Sequence, residues 1–198
     1  MKKQSFIAEA RREQIMEAAI QTLDEIGFAK ASLAQIAKRA DISTALISYH
    51  FSDKQDLMNF VLEKLMEQSS TIIINQVYEK EDPVEQLEIF ILKSFQYQHD
   101  YPERNIALLE IIFHASTNDN IPYYRLEDGE EDVTTQALYN ILKKGQQQGV
   151  FKNYSLKGMI DLIQGPIGEA MFHSFESQKA LDTYSEDLIS MIFAAIEN

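Results

Sequence analysis

The sequence predicts an all-α protein, with a small three-helix N-terminal head and a larger helical body. Three observations carry this. Apolar residues recur at helical spacing along most of the 198 residues, and no strand-like alternation, internal repeat or low-complexity tract appears. Helix start and stop signals punctuate the chain at intervals suited to roughly nine helices of ordinary length. The third is residues 32–54, SLAQIAKRADISTALISYHFSDK, in which two short apolar-faced segments and a tight turn lie between two capping patterns.

In order, Ile15, Ala18, Ala19, Thr22, Leu23 and Ile26 make one stripe of a helix over 8–26, which Gly27 closes as a left-handed cap with Phe28 beyond it. Lys2, Lys3, Arg11 and Arg12 precede or open it, as an arm able to reach phosphates or a minor groove; for Lys2 and Lys3 a solvated tail is the simpler reading. Ser32 and Gln35 form a capping box that starts the second helix at Leu33, and Asp41-Ile42 make the turn. Ser43 caps a third helix over 44–50, with Ile47 and Phe51 spaced for the core. Ser52 with Gln55 repeats the capping box, and a long helix is expected from 53 to about 78.

Asp82-Pro83 with Glu85 starts a helix running to about 99. Pro102 breaks the chain, and a short apolar helix is expected over 107–114. Residues 116–132, STNDNIPYYRLEDGEED, read as a loop and a candidate flap. A helix over 131–148 is closed by Gly149. Ser155 caps the next, with a kink expected at Gly165-Pro166, and Thr183 with Glu186 caps the last.

Net charge is −13, but it is unevenly divided: residues 1–54 hold eight Lys/Arg against seven Asp/Glu, and 55–198 hold ten against 24. A neutral-to-basic head on an acidic body would meet a polyanion head-first. With no cysteine, disulfides, thiolate metal sites and a cysteine nucleophile are excluded. No apolar run is long enough to span a bilayer, and the basic N-terminus lacks an apolar signal-peptide core, so no membrane partner is expected and cytoplasmic is the default.

The stretch SLAQIAKRADISTALISYHFSDKQDL resembles the DNA-binding head of the TetR/AcrR family of bacterial transcriptional regulators. The matching positions are Ser32, Ile36-Ala37, Ala40, Ile42-Ser43, Ile47, Tyr49-His50-Phe51, Lys54 and Leu57. Two positions depart from the pattern: Asp41 stands at a turn position that is usually glycine, and Thr44-Ala45 replaces a common Lys-Gly. The resemblance implies a homodimeric, ligand-responsive regulator, most simply a repressor on a palindromic double-stranded operator. Residues 1–54 would form the DNA-binding domain and 55–198 the ligand-binding and dimerisation domain.

Thr44 and Ser48, four apart on the third helix, are placed to reach base edges, and Ala45 to pack on a thymine methyl. Ser43 opens the same helix. The resemblance implies phosphate contacts from Ser32, Tyr49, His50 and Lys54; the last also sits at a helix N-terminus, where ammonium and amides together suit an anion. In the body, Phe90, Phe113 and Tyr139 are candidate lining for a small, partly apolar effector of unknown identity. Surplus apolar residues of the last two helices (Ile160, Ile163, Ile167, Met171, Leu188, Ile192, Ile196) suggest a four-helix dimer interface.

No nucleotide loop, nucleophile elbow or zincin helix is present, so no enzyme and no cofactor is expected. One alternative is a metal-binding bundle or enzyme using the pairs Glu110/His114 and Glu169/His173, each with carboxylate and imidazole on one helix face. Another is a DNA-binding organiser without effector.

Overall fold

A computed structural model describes residues 2–117, 119–125, 133–173 and 175–197, the side chains of 2–5 excepted. The described residues form nine α-helices: α1 Lys2–Lys30, α2 Leu33–Arg39, α3 Thr44–His50, α4 Lys54–Val77, α5 Pro83–Asp100, α6 Pro102–His114, α7 Val133–Gln147, α8 Leu156–Glu169 and α9 Gln178–Ile196. Short 3₁₀ turns occupy Tyr123–Arg125 and Ala170–Phe172.

The helices pack as two compact units, one of Met1–Glu67 with Glu103–Glu127 and one of Gln68–Pro102 with Asp128–Asn198. In the first unit, α1 lays Ile15, Ala19 and Leu23 against Ile36 of α2, Ile47 of α3 and Leu57 of α4, all fully buried. Ala107 and Ile111 of α6 join the same core. In the second, Leu87, Phe90, Ile91 and Phe95 of α5 pack with Leu138 and Leu142 of α7 and with α8 and α9.

Chain punctuation follows the local chemistry closely. Gly27 breaks α1 with φ 73°. Asp41 takes φ 52° after α2, so the left-handed turn is made without glycine. The N–H of Ile42 then donates to the carbonyl of Ala37 at 3.0 Å and that of Asp41 to Lys38 at 3.3 Å, the Schellman closure. Gly149 repeats this after α7 with φ 74°, and Val150 N–H returns to Gly145 at 3.1 Å.

Several expectations are corrected. The cap of α4 is Asp53, whose carboxylate accepts the Asp56 N–H at 2.8 Å, while Asp56 accepts the Ser52 N–H at 2.8 Å. Carboxylates accept such bonds better than the Ser52/Gln55 pair, and Gln55 turns instead to Asn59 at 2.8 Å. α6 starts at Pro102 because proline fits a helix's first turn. α9 starts six residues early, capped by Ser177 accepting the Ala180 N–H at 3.3 Å. α8 passes through Pro166 and stops at Glu169.

α1 is helical from Lys2, so residues expected to form an arm extend a helix. Of the expected loop, residues 116–117 and 119–125 make a tight turn in which Thr117 N–H reaches Ile121 O at 2.8 Å. The rest of the candidate flap, and the expected start of α7 at 131, lie outside the described residues. Ile160, Ile163, Ile192 and Ile196, assigned above to a dimer interface, are buried within the chain. Leu162, Phe172 and Met191 are the side chains left open there, at 52 %, 66 % and 66 % exposure.

Candidate DNA-binding interface

The outer face of α3 is set by one buried anchor. Ile47 is fully buried and Leu46 half-buried, which turns Thr44, Ala45, Ser48 and Tyr49 to solvent. Thr44 and Ser48 stand one turn apart on the exposed side, within the first five residues of the helix. Tyr49 is 81 % exposed, with its ring edge-on to His50 at 5.1 Å.

The two cap serines differ in what they have left to offer. Ser43 Oγ accepts the Leu46 N–H at 3.2 Å, which does not use its own proton. Ser32 Oγ accepts the Gln35 N–H at 3.3 Å and also donates to Gln35 Oε1 at 2.9 Å, so engaging another acceptor means exchanging that second bond.

The motif is clamped from behind by α1. The Arg12 guanidinium lies over the rings of Phe51 and Phe60, 4.4 and 4.2 Å from their centroids, and donates to the His50 carbonyl at 3.1 Å. Gln14 donates to the Ala40 carbonyl at 2.7 Å. Arg12 therefore closes the C-terminal ends of α3 and the head core, and the sequence reading that gave it to an arm is corrected. Nothing beside Arg12 in the sequence signals this, because its aromatic partners lie 39 and 48 positions on. Burial first, then Arg12 and Arg11, hold the His50 imidazole below its ordinary pKa.

Lys54 opens α4, and its ammonium is engaged: it donates to the Phe28 carbonyl at 2.6 Å and lies 3.9 Å over the Phe28 ring. Burial pushes its pKa down. Glu110 accepts the Phe28 N–H at 2.7 Å from α6, and nothing in the local sequence marks either contact.

The candidate effector residues are divided. Phe90 is fully buried in the second unit's core and Tyr139 is packed against that core, with the Lys143 ammonium 5.3 Å from its ring. Phe113 belongs to the first unit, 58 % exposed and stacked on Tyr124 at 6.2 Å. The two Glu/His pairs also fall in different units, at 3.4 Å and 3.7 Å, and among the described residues no three His, Cys, Asp or Glu side chains are grouped to hold a metal. Among the same residues no helix is long and apolar enough to cross a membrane.

Comparison with known proteins agrees with this geometry. The family model for bacterial regulatory proteins of the tetR family matches residues 15–60, from the middle of α1 to the first turns of α4. The HTH-type transcriptional regulator BetI of Escherichia coli O45:K1 is 24% identical over 153 residues, covering 76% of this chain and 78% of that one. BetI of Stenotrophomonas maltophilia is 34% identical over 86 residues, 43% of this chain and 44% of that one. Among solved structures, a TetR family regulator from Marinobacter aquaeolei has TM-score 0.76 at 20% identity, covering all of both chains. The fatty acid degradation regulator FadR of Bacillus halodurans has TM-score 0.76 at 20% identity, over 92% of this chain and 94% of that one. The ketosteroid transcriptional regulator KstR2 of Mycobacterium tuberculosis has TM-score 0.74 at 15% identity, over 95% of both. The exposed third helix thus lies inside the segment that matches the tetR-family model, and these likenesses support a DNA-binding transcriptional regulator of the tetR family.

Proposed function

We propose that the protein is a homodimeric repressor whose head, residues 1–54, binds a near-palindromic operator and lets go when a small molecule binds in the body, residues 55–198. The observation that carries the DNA half is the face of α3, where Thr44, Ala45 and Ser48 are exposed around a fully buried Ile47. Two hydroxyls and a methyl suit a major groove read by single hydrogen bonds and thymine contact, without the arginine–guanine fork. Ser32, Ser43, Tyr49 and His50 frame that face as phosphate contacts. Lys54 contributes through the N-terminal amides of α4 and by holding Phe28.

For the effector half, support comes from the aromatic core of the second unit around Phe90 and Tyr139. It is also supported by relatives whose names tie them to ketosteroids and to fatty acid degradation, both apolar chemistries. A small, partly apolar effector fits both. The metal-binding alternative has no such support, since Glu110 is committed to Phe28.

The test is binding to a duplex selected by the intact protein from a random pool, against unselected duplex. Thr44→Ala and Ser48→Ala should each weaken the selected duplex by about 1 kcal/mol and leave the unselected one unchanged. Equal loss on both would remove α3 as the reading helix.

A further inference from the structure

Phe28 follows the break at Gly27 within α1, and two further helices, α4 and α6, meet it there. Its N–H donates to Glu110 Oε2 of α6 at 2.7 Å, and its carbonyl accepts from Lys54 Nζ of α4 at 2.6 Å. Its ring lies under the Lys54 ammonium at 3.9 Å and stacks on His114 of α6 at 6.1 Å and 14°. Next to it, Gly27 has φ 73° and ψ 166°, and a Cβ there would meet Glu110 Oε2 at 3.4 Å.

These contacts tie together both ends of the helix-turn-helix. The chain enters α2 through Ser32, four residues after Phe28, and leaves α3 through Phe51, three residues before Lys54. Lys54 thus joins the exit of the motif to its entry, and Glu110 fixes the amide of the same residue from 82 positions away. The charged carboxylate makes this a strong hydrogen bond, and its side chain is only 28% exposed. A shift of the Phe28 peptide would turn α2 and α3 together, because their mutual packing through Ile36 and Ile47 is fully buried.

We propose that Glu110 is a positioning residue for DNA binding, which holds α2 and α3 in their DNA-reading orientation through the Phe28 amide. This makes α6, which lies outside the DNA-reading segment, part of the DNA-binding machinery. The inference rests on the reading of α3 as the recognition helix.

The test uses the full chain and three variants, with the selected duplex described above and an unselected one. Glu110→Gln keeps an acceptor oxygen of the same reach, and should bind the selected duplex within about threefold of wild type. Glu110→Ala removes the acceptor, and Glu110→Asp keeps the charge but is one methylene too short. Both should speed hydrogen exchange at the Phe28 amide and weaken the selected duplex by about tenfold, with unselected duplex within about twofold. Glu110→Asp keeps the test open should the alanine variant fold poorly. Faster exchange at Phe28 with wild-type affinity for the selected duplex would overturn the proposal, as would equal loss on both duplexes. Failure of the wild-type protein to prefer any duplex would instead sink the DNA-reading assignment itself.

Discussion

His50 and Asp41 show how single side chains set what the head can do. In the free protein the imidazole is held below its ordinary pKa of 6.5 by burial and by Arg12 and Arg11, so at neutral pH it is uncharged. A phosphate beside it favours the imidazolium, so the bound pKa lies above the free one and binding takes up a proton. Affinity for the selected duplex should therefore rise as pH falls through the interval between those two values, and His50→Gln should flatten that slope. A wild-type slope unchanged in His50→Gln would take His50 away from the phosphate. Asp41 has φ 52° with an exposed side chain, so a glycine there loses no packing and removes a Cβ from a left-handed position. Asp41→Gly should raise unfolding stability in urea by about 0.5–1 kcal/mol and leave DNA binding intact. Lower stability would mean that the carboxylate makes a contact worth more than the strain.

At the scale of elements, α7 ends where a glycine lets another chain segment close over it. Phe151, 2% exposed, lies against the backbone of Gly145, and a Cβ there would come within 1.9 Å of its ring. Lys152 N–H then donates to the Ile196 carbonyl at 2.7 Å, so the same turn secures the end of α9. Helix propensity favours alanine by about 1 kcal/mol. The clash cannot be relieved without moving Phe151 out of the core, and overpacking of this kind costs about 1–3 kcal/mol or more. Gly145→Ala should therefore lower the midpoint of chemical denaturation despite the better propensity. An unchanged or higher midpoint would show that Phe151 is free to move.

For the whole molecule, charge and apolar exposure point in different directions. The formal charge of −13 divides into +1 over residues 1–54 and −14 over residues 55–198, a body that repels phosphate more than the head does. Against that polar surface, α8, the turn after it and α9 leave Leu162, Phe172 and Met191 open, at 52 %, 66 % and 66 % exposure. Large apolar side chains clustered late in the chain are the expected seed of a two-fold interface. Wild-type protein should sediment as a dimer at micromolar concentration, and Leu162→Glu with Met191→Glu should sediment as a monomer. The variant should also lose most affinity for a selected duplex with two half-sites, since only a dimer spans successive major grooves. A dimer persisting in the double variant would place the interface elsewhere.

What the sequence determined by itself is whatever depends on near neighbours in the chain. Helix identity, the caps at Ser32, Ser43 and Asp82, and the left-handed turns at Gly27, Asp41 and Gly149 are decided within a few residues. So is the exposed face of α3, which follows from the spacing of Ile47 and Phe51. Where two local signals compete, spacing alone does not choose: Asp53 displaced Ser52 as the cap of α4, and Ser177 displaced Thr183 for α9. Tertiary structure alone decided which charged groups face inward. Arg12 went to Phe51 and Phe60, Lys54 and Glu110 to Phe28, and four isoleucines of α8 and α9 to the chain's own core. Each of these depends on partners brought together by burial of distant apolar faces, an energy summed over a whole core that no short stretch of sequence displays.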